Sequence, residues 1–224
     1  MEPAPVPAAP PQSIWTTLTS YDNLRRAVYL VGASPGAWVF YEGFTDQLGA
    51  DPVNTLERTL GLWALRFLVI GLAITPLRRL GGPNLVRYRR AIGLLAFFYA
   101  ASHLCTYVYY DLELDFSAVW KEIVKRPYIT VGFAAFLILV PLAITSNNAM
   151  IKRLGGPNWN RLHKLVYAAS ALGAIHYLMV VKTWKIGSGT PIIYAVLVLA
   201  LLAFRLVVYL QKRIERSRRD TRTA

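Results

Sequence analysis

Long apolar stretches separated by short polar connections dominate the chain. Six of them, over residues 24–44, 59–77, 91–110, 128–145, 162–181 and 191–210, approach the roughly 20 residues a helix needs to cross a bilayer. Uninterrupted apolar runs of that length predict membrane helices rather than strands. The first is the weakest, because Ser34, Pro35 and Gly36 break it, and a kinked helix is expected there. Pro127 and Pro191 stand where the fourth and sixth helices should open, the latter behind Thr190 as an N-cap. The predicted fold is an all-α membrane protein, a six-transmembrane-helix bundle. Residues 1–23 read as a Pro-rich disordered extension without the basic region of a cleavable signal peptide, 24–211 as the membrane domain, and 212–224 as a basic cytoplasmic tail.

Composition agrees with the pattern. Of 224 residues, 55% are hydrophobic and 17% charged, which excludes a disordered chain and disfavours a soluble enzyme. The formal net charge is +13. In a soluble protein that excess would suggest a nucleic-acid partner; here its distribution points elsewhere. One set of connections holds Arg25, Arg26, Arg78, Arg79, Arg87, Arg89, Arg90, Lys152, Arg153, Arg161 and Lys164, and the basic tail lies on the same side. The alternate connections hold most of the acids, among them Asp46, Asp51, Asp111, Glu113 and Asp115. Six spans with both termini on the cytoplasmic side satisfy the positive-inside rule. The charge therefore reads as an orientation signal and a contact with anionic lipids, with no nucleic acid involved.

Arg79-Leu80-Gly81-Gly82-Pro83-Asn84 recurs as Arg153-Leu154-Gly155-Gly156-Pro157-Asn158. The repeat suggests that helices 2–3 and 4–5 are related hairpins, convergent turn chemistry being the alternative. Three histidines are available for haem or metal chemistry: His103, His163 and His176. At 1.5 Å per residue, His103 lies about 18 Å along its helix from Ala91, and His176 about 21 Å from Leu162. Two imidazoles at matching depth on neighbouring helices can serve as opposite axial ligands of one haem iron. The plainer alternative is that each bonds a neighbouring helix. Gly93, Gly132 and Gly173 would allow close approach of a helix or a macrocycle.

His163 belongs to the cytoplasmic start of the fifth helix and corresponds to Arg89 across the repeat. It is a candidate for a second haem only with an unusual partner ligand. With the nearby arginines it could instead meet an anionic cofactor or headgroup, or bind nothing. Arg66, inside the second span, is a candidate partner for a haem propionate, with snorkelling to the headgroups as the alternative. Arg205 is expected to snorkel, and Cys105 to be a small core residue that excludes any intrachain disulfide. No nucleophile or general acid stands out, so no catalytic residue is assigned.

Six helices with histidines on the third and fifth resemble the ferric reductase-like transmembrane domain shared with NADPH oxidases. Arg89-Arg90-Ala91-Ile92-Gly93-Leu94, Ser102-His103-Leu104, Arg126-Pro127-Tyr128-Ile129-Thr130, Leu162-His163-Lys164 and Ile175-His176-Tyr177 are closer still to one branch. That branch comprises the haem-binding membrane subunits of bacterial protein-methionine-sulfoxide reductase systems. The resemblance implies a multi-pass protein of the bacterial inner membrane. It would carry electrons from the quinone pool, or from a cytosolic flavin reductase, to MsrP, a periplasmic molybdenum subunit with which it pairs. It also implies haem b on His103 and His176, with His163 as a further ligand candidate, and an associated FMN. Arg89 stands where the oxidases carry a fourth histidine. Two rival functions are a stand-alone ferric reductase and a non-redox transporter or assembly factor. The first is disfavoured because oxidases of that kind need NADPH and flavin domains, for which little chain follows the sixth helix.

Overall fold

The computed structural model describes residues 21–180 and 190–223, and all regular structure among them is helical. The helices are α1 (Tyr21–Phe44), α2 (Pro52–Arg79), α3 (Arg89–Thr106), α4 (Phe116–Lys125), α5 (Pro127–Ile144), α6 (Asn148–Leu154), α7 (Gly156–His163), α8 (Val166–Val180) and α9 (Thr190–Thr223). A short 3-10 turn, Val86–Tyr88, leads into α3, and a π-helical turn, Tyr107–Asp111, extends it. Four segments are long and apolar enough to cross a membrane: Pro52–Arg79, Val86–Asp111, Pro127–Ile144 and Thr190–Glu215. The other two predicted spans are also helical, but α1 falls short in apolarity and α8 shows 15 residues. Most of the predicted extension and residue 181 of the fifth span lie outside the described residues.

Helix boundaries follow their caps. The Asp51 side chain accepts from Asn54 N at 3.2 Å and Pro52 supplies the first turn, so α2 starts seven residues earlier than its apolar run. Asn147 caps α6 by accepting from Met150 N. Gly81 (φ 87°) and Gly155 (φ 74°) end α2 and α6 with positive φ. Both copies of the repeated sequence therefore place their first glycine at positive φ, but Gly156-Pro157-Asn158 open α7 whereas Gly82-Pro83-Asn84 stay outside any helix. At the other terminus α9 runs through the predicted basic tail to Thr223.

The core is a ring of four helices in which α2 packs on α3, α3 on α5, α5 on α8, and α8 back on α2. Helix α1 covers the α2–α3 groove, and α9 the α8–α2 groove. Ala96 and Ala169, both fully buried, allow close approach at the crossings. Trp63, Phe67 and Tyr99 form an aromatic cluster with centroids 5.4–6.4 Å apart.

The break expected at Ser34-Pro35-Gly36 has a specific form. Gly36 N donates to the Tyr99 hydroxyl at 2.7 Å, and that hydroxyl donates to Gly32 O at 2.8 Å. A side chain of α3 is thus inserted into one rung of the α1 ladder beside Pro35. Gly32 and Gly36 make the approach possible: a Cβ on Gly32 would stand 2.3 Å from Leu95 Cδ1, and one on Gly36 3.0 Å from the Tyr99 oxygen.

Sequence reading passed over α4. Its N-cap Asp115 accepts from Ser117 N and Ala118 N, which holds the carboxyl below its ordinary range. Phe116, Trp120 and Val124 recur every four residues as one exposed apolar stripe, and Ile123 at its edge is buried. Cys105 is exposed on α3 rather than part of the core, because the small residues at the helix crossings are alanines instead.

Candidate functional site

His103 on α3 and His176 on α8 meet across the four-helix ring, with ring centroids 6.2 Å apart and planes inclined at 65°. Equal depth along separate helices became proximity because both helices face the same interior.

Each ring is held by the helix beside it. His103 Nδ1 lies 2.9 Å from Glu57 O of α2, and His176 Nδ1 lies 2.7 Å from Tyr128 O of α5. A carbonyl only accepts, so both Nδ1 atoms carry the hydrogen. In a neutral ring that leaves the lone pair on Nε2. The same local device serves both histidines. Four residues after each accepting carbonyl stands a glycine, Gly61 after Glu57 and Gly132 after Tyr128. A Cβ on Gly61 would come within 3.3 Å of His103 Nδ1, and one on Gly132 within 2.7 Å of His176 Nδ1. The imidazoles thus lie against bare helix backbone. Gly132 was legible in the sequence as a close-approach residue, whereas Gly61 and the two carbonyls were not. A Cβ on Gly173 would make only ordinary contacts with Leu65 and Leu68, and one on Gly93 would meet nothing within 4 Å.

His163 is placed separately, at the end of α7. Its ring stacks on Trp159 at 3.8 Å, and its Nε2 lies 3.0 Å from Thr145 Oγ1. The Thr145 hydroxyl donates to Pro141 O at 2.7 Å, so toward His163 it accepts, and Nε2 carries the hydrogen. Trp159 Nε1 closes the knot by donating to Thr145 O. His163 therefore ties α7 to the end of α5, with the opposite tautomer from the central pair.

Arg66 is half-buried. Its Nε donates to the Tyr194 hydroxyl of α9 at 3.0 Å, and its guanidinium lies 4.6 Å from the Trp63 ring centroid. Tyr194 in turn packs against Tyr177, the neighbour of His176. Arg205 also turns inward: it donates to the Tyr167 hydroxyl and to Leu72 O, where snorkelling was expected. Two polar acceptors within the bundle outweigh extension of the side chain toward the headgroups.

Residues 60–174, which contain His103, His163 and Arg66 and end two residues before His176, match the family described as ferric reductase like transmembrane component. The chain is 55% identical over 180 residues to the protein-methionine-sulfoxide reductase heme-binding subunit MsrQ of Brucella anthropi, covering 80% of each chain. It is 54% identical over 187 residues to the MsrQ proteins of Brucella ovis and Brucella canis, covering 83% of each. The chain belongs to the MsrQ family. In this MsrQ-family chain His103 and His176 are the two histidines that the fold brings together. His163 and Arg66 each have a partner set of their own.

The donor set of the central pair suits a tetrapyrrole metal better than a metal held by protein alone. Among the described residues no three His, Cys, Asp or Glu side chains converge. Two imidazoles supply axial nitrogens only, which is what a macrocycle providing the equatorial nitrogens requires.

Proposed function

We propose that the protein is a b-type cytochrome subunit of a methionine sulfoxide reductase system, in which His103 and His176 would hold one haem b. The observation that carries this reading is the paired arrangement of two imidazoles, each donating Nδ1–H to a backbone carbonyl and packed on a glycine. When bound, haem supplies one-electron transfer between its ferric and ferrous states.

The chain supplies everything else. Glu57 O and Tyr128 O fix the tautomer and orientation of the ligands and raise the basicity of Nε2. The surrounding apolar helices exclude water and lower the local dielectric. Arg66, anchored by Trp63 and Tyr194, provides a positive charge for a propionate. His163, with Nε2 committed to Thr145, is read as a residue that secures α7, and the haem count below tests that assignment.

The proposed topology is six spans across the bacterial inner membrane with both termini cytoplasmic, in accord with the basic connections. Electrons would enter from quinone or a flavin reductase, with FMN as a further cofactor, and leave to the periplasmic MsrP partner. The bond-changing chemistry then belongs to MsrP. A reduced-minus-oxidised spectrum with haem stoichiometry tests the core of this reading. We expect a b-type band and one haem per chain, lost in His103→Ala and in His176→Ala and kept in His163→Ala. A wild-type protein without the band refutes the cytochrome, and halved haem in His163→Ala shows His163 to be a ligand.

A further inference from the structure

The arginine-rich end of the bundle gathers two guanidiniums on one face of α2. Arg89, the first residue of α3, donates to Thr75 Oγ1. Arg205 of α9 donates from Nη2 to Leu72 O at 2.9 Å and from Nη1 to the Tyr167 hydroxyl at 2.7 Å, and it lies 4.8 Å from the Tyr167 ring centroid. Leu72 and Thr75 are three residues apart, so the same strip of α2 holds both cations. The charges of Arg205 and Arg78 both bear on Arg89.

Neither guanidinium has a carboxylate partner among the described residues, whose ion pairs are Arg25–Asp22 and Arg126–Glu122. The Nε atoms of Arg89 and Arg205 are both buried without an acceptor. Like charges that are part-buried with unused donors cost free energy unless an anion joins them. The hydroxyls nearby accept from the arginines and keep their own hydrogens to donate. Two guanidinium forks on one strip of α2, with hydroxyls beside them, match a tetrahedral oxyanion, and two cations match its double charge.

We infer that Arg89 and Arg205, with Thr75 and Tyr167, form a binding site for a phosphate group. Its carrier is either a phospholipid headgroup or the terminal phosphate of a flavin mononucleotide. The site is independent of the His103–His176 pair and does not rest on haem occupancy.

Full-length protein in detergent would be tested with three probes: FMN against riboflavin by flavin fluorescence, phosphatidylglycerol by native mass spectrometry, and inorganic phosphate as competitor. Arg89→Gln and Arg205→Gln should weaken phosphate-dependent binding about tenfold or more, while Arg205→Lys retains part of it. FMN binding that exceeds riboflavin binding and falls in both Gln variants assigns the site to the flavin. Phosphatidylglycerol adducts that fall in both variants, with flavin binding unchanged, assign it to lipid. On wild-type protein, inorganic phosphate should displace the bound probe where equal ionic strength of chloride does not. The inference is overturned if phosphate fails to compete, or if folded Gln variants bind both probes like wild type. It is equally overturned if the variants lose haem while phosphate adducts persist.

Discussion

Replacing Gly132 by alanine tests the histidine cradle most directly. The new Cβ would stand 2.7 Å from Nδ1, 2.8 Å from Cε1 and 3.1 Å from Cγ of His176. Comfortable contacts begin near about 3.5 Å, so the ring must retreat by roughly 0.7 Å. The Nδ1···Tyr128 O bond, now 2.7 Å, would lengthen beyond the usual limit of about 3.2 Å. Loss of such a supporting bond lowers metal affinity by roughly 10–100-fold. Gly61→Ala provides the matched comparison. Its Cβ would stand 3.3 Å from His103 Nδ1, so a shift of about 0.2 Å leaves the 2.9 Å bond to Glu57 O within range. We expect that variant to lose less than about tenfold. Helix propensity runs the other way, favouring alanine over glycine by about 1 kcal/mol, so general unfolding does not explain a loss. Gly93→Ala, with nothing within 4 Å of its Cβ, serves as the control. Haem titration into apoprotein, read from the reduced-minus-oxidised spectrum, measures all three. Wild-type loading in Gly132→Ala, or an equal loss in Gly61→Ala, would refute the reasoning.

Further expectations concern other parts of the bundle. Tyr99→Phe strips the hydroxyl that joins Gly36 N to Gly32 O, and should destabilise the protein by roughly 1–3 kcal/mol in thermal unfolding; an unchanged melting temperature would show that α1 closes its own ladder. Asp115 titrates below its ordinary value when it caps α4, so its contribution is present above the unfolded carboxylate value and disappears as pH falls through the depressed folded one. Amide exchange at Ser117 and Ala118 should accelerate over that acidic window, and Asp115→Asn should flatten the dependence. Arg66→Gln should lower the haem midpoint potential on the order of tens of millivolts, checked by redox titration, because a nearby positive charge favours the electron-rich state. Trp159→Leu should loosen α7 without loss of the His103–His176 spectrum; loss of that spectrum would show coupling between the two histidine regions.

Periodicity and punctuation made much of the architecture legible. Apolar run length announced the long helices, and Pro127 and Pro191 their starts. Local chemistry was enough there, since a capped helix in an apolar medium satisfies its own backbone. Helix α4 escaped notice because ten residues with one apolar stripe resemble a polar loop when judged by average hydropathy alone. The accepting carbonyls of Glu57 and Tyr128 carry no side-chain signature at all.

The sequence by itself determined the helical class, the charge asymmetry and the short set of three histidines. Tertiary structure alone decided which of them meet: His103 and His176 are 73 positions apart yet share one interior, while His163 is tied to Thr145. It also decided that Tyr99 completes α1, that Tyr194 anchors Arg66, and that Arg89 and Arg205 sit on one face of α2. The physical reason is range. Helix formation and insertion depend on neighbours within a few turns, whereas the donors and acceptors that shape a site are paired only when separate helices pack.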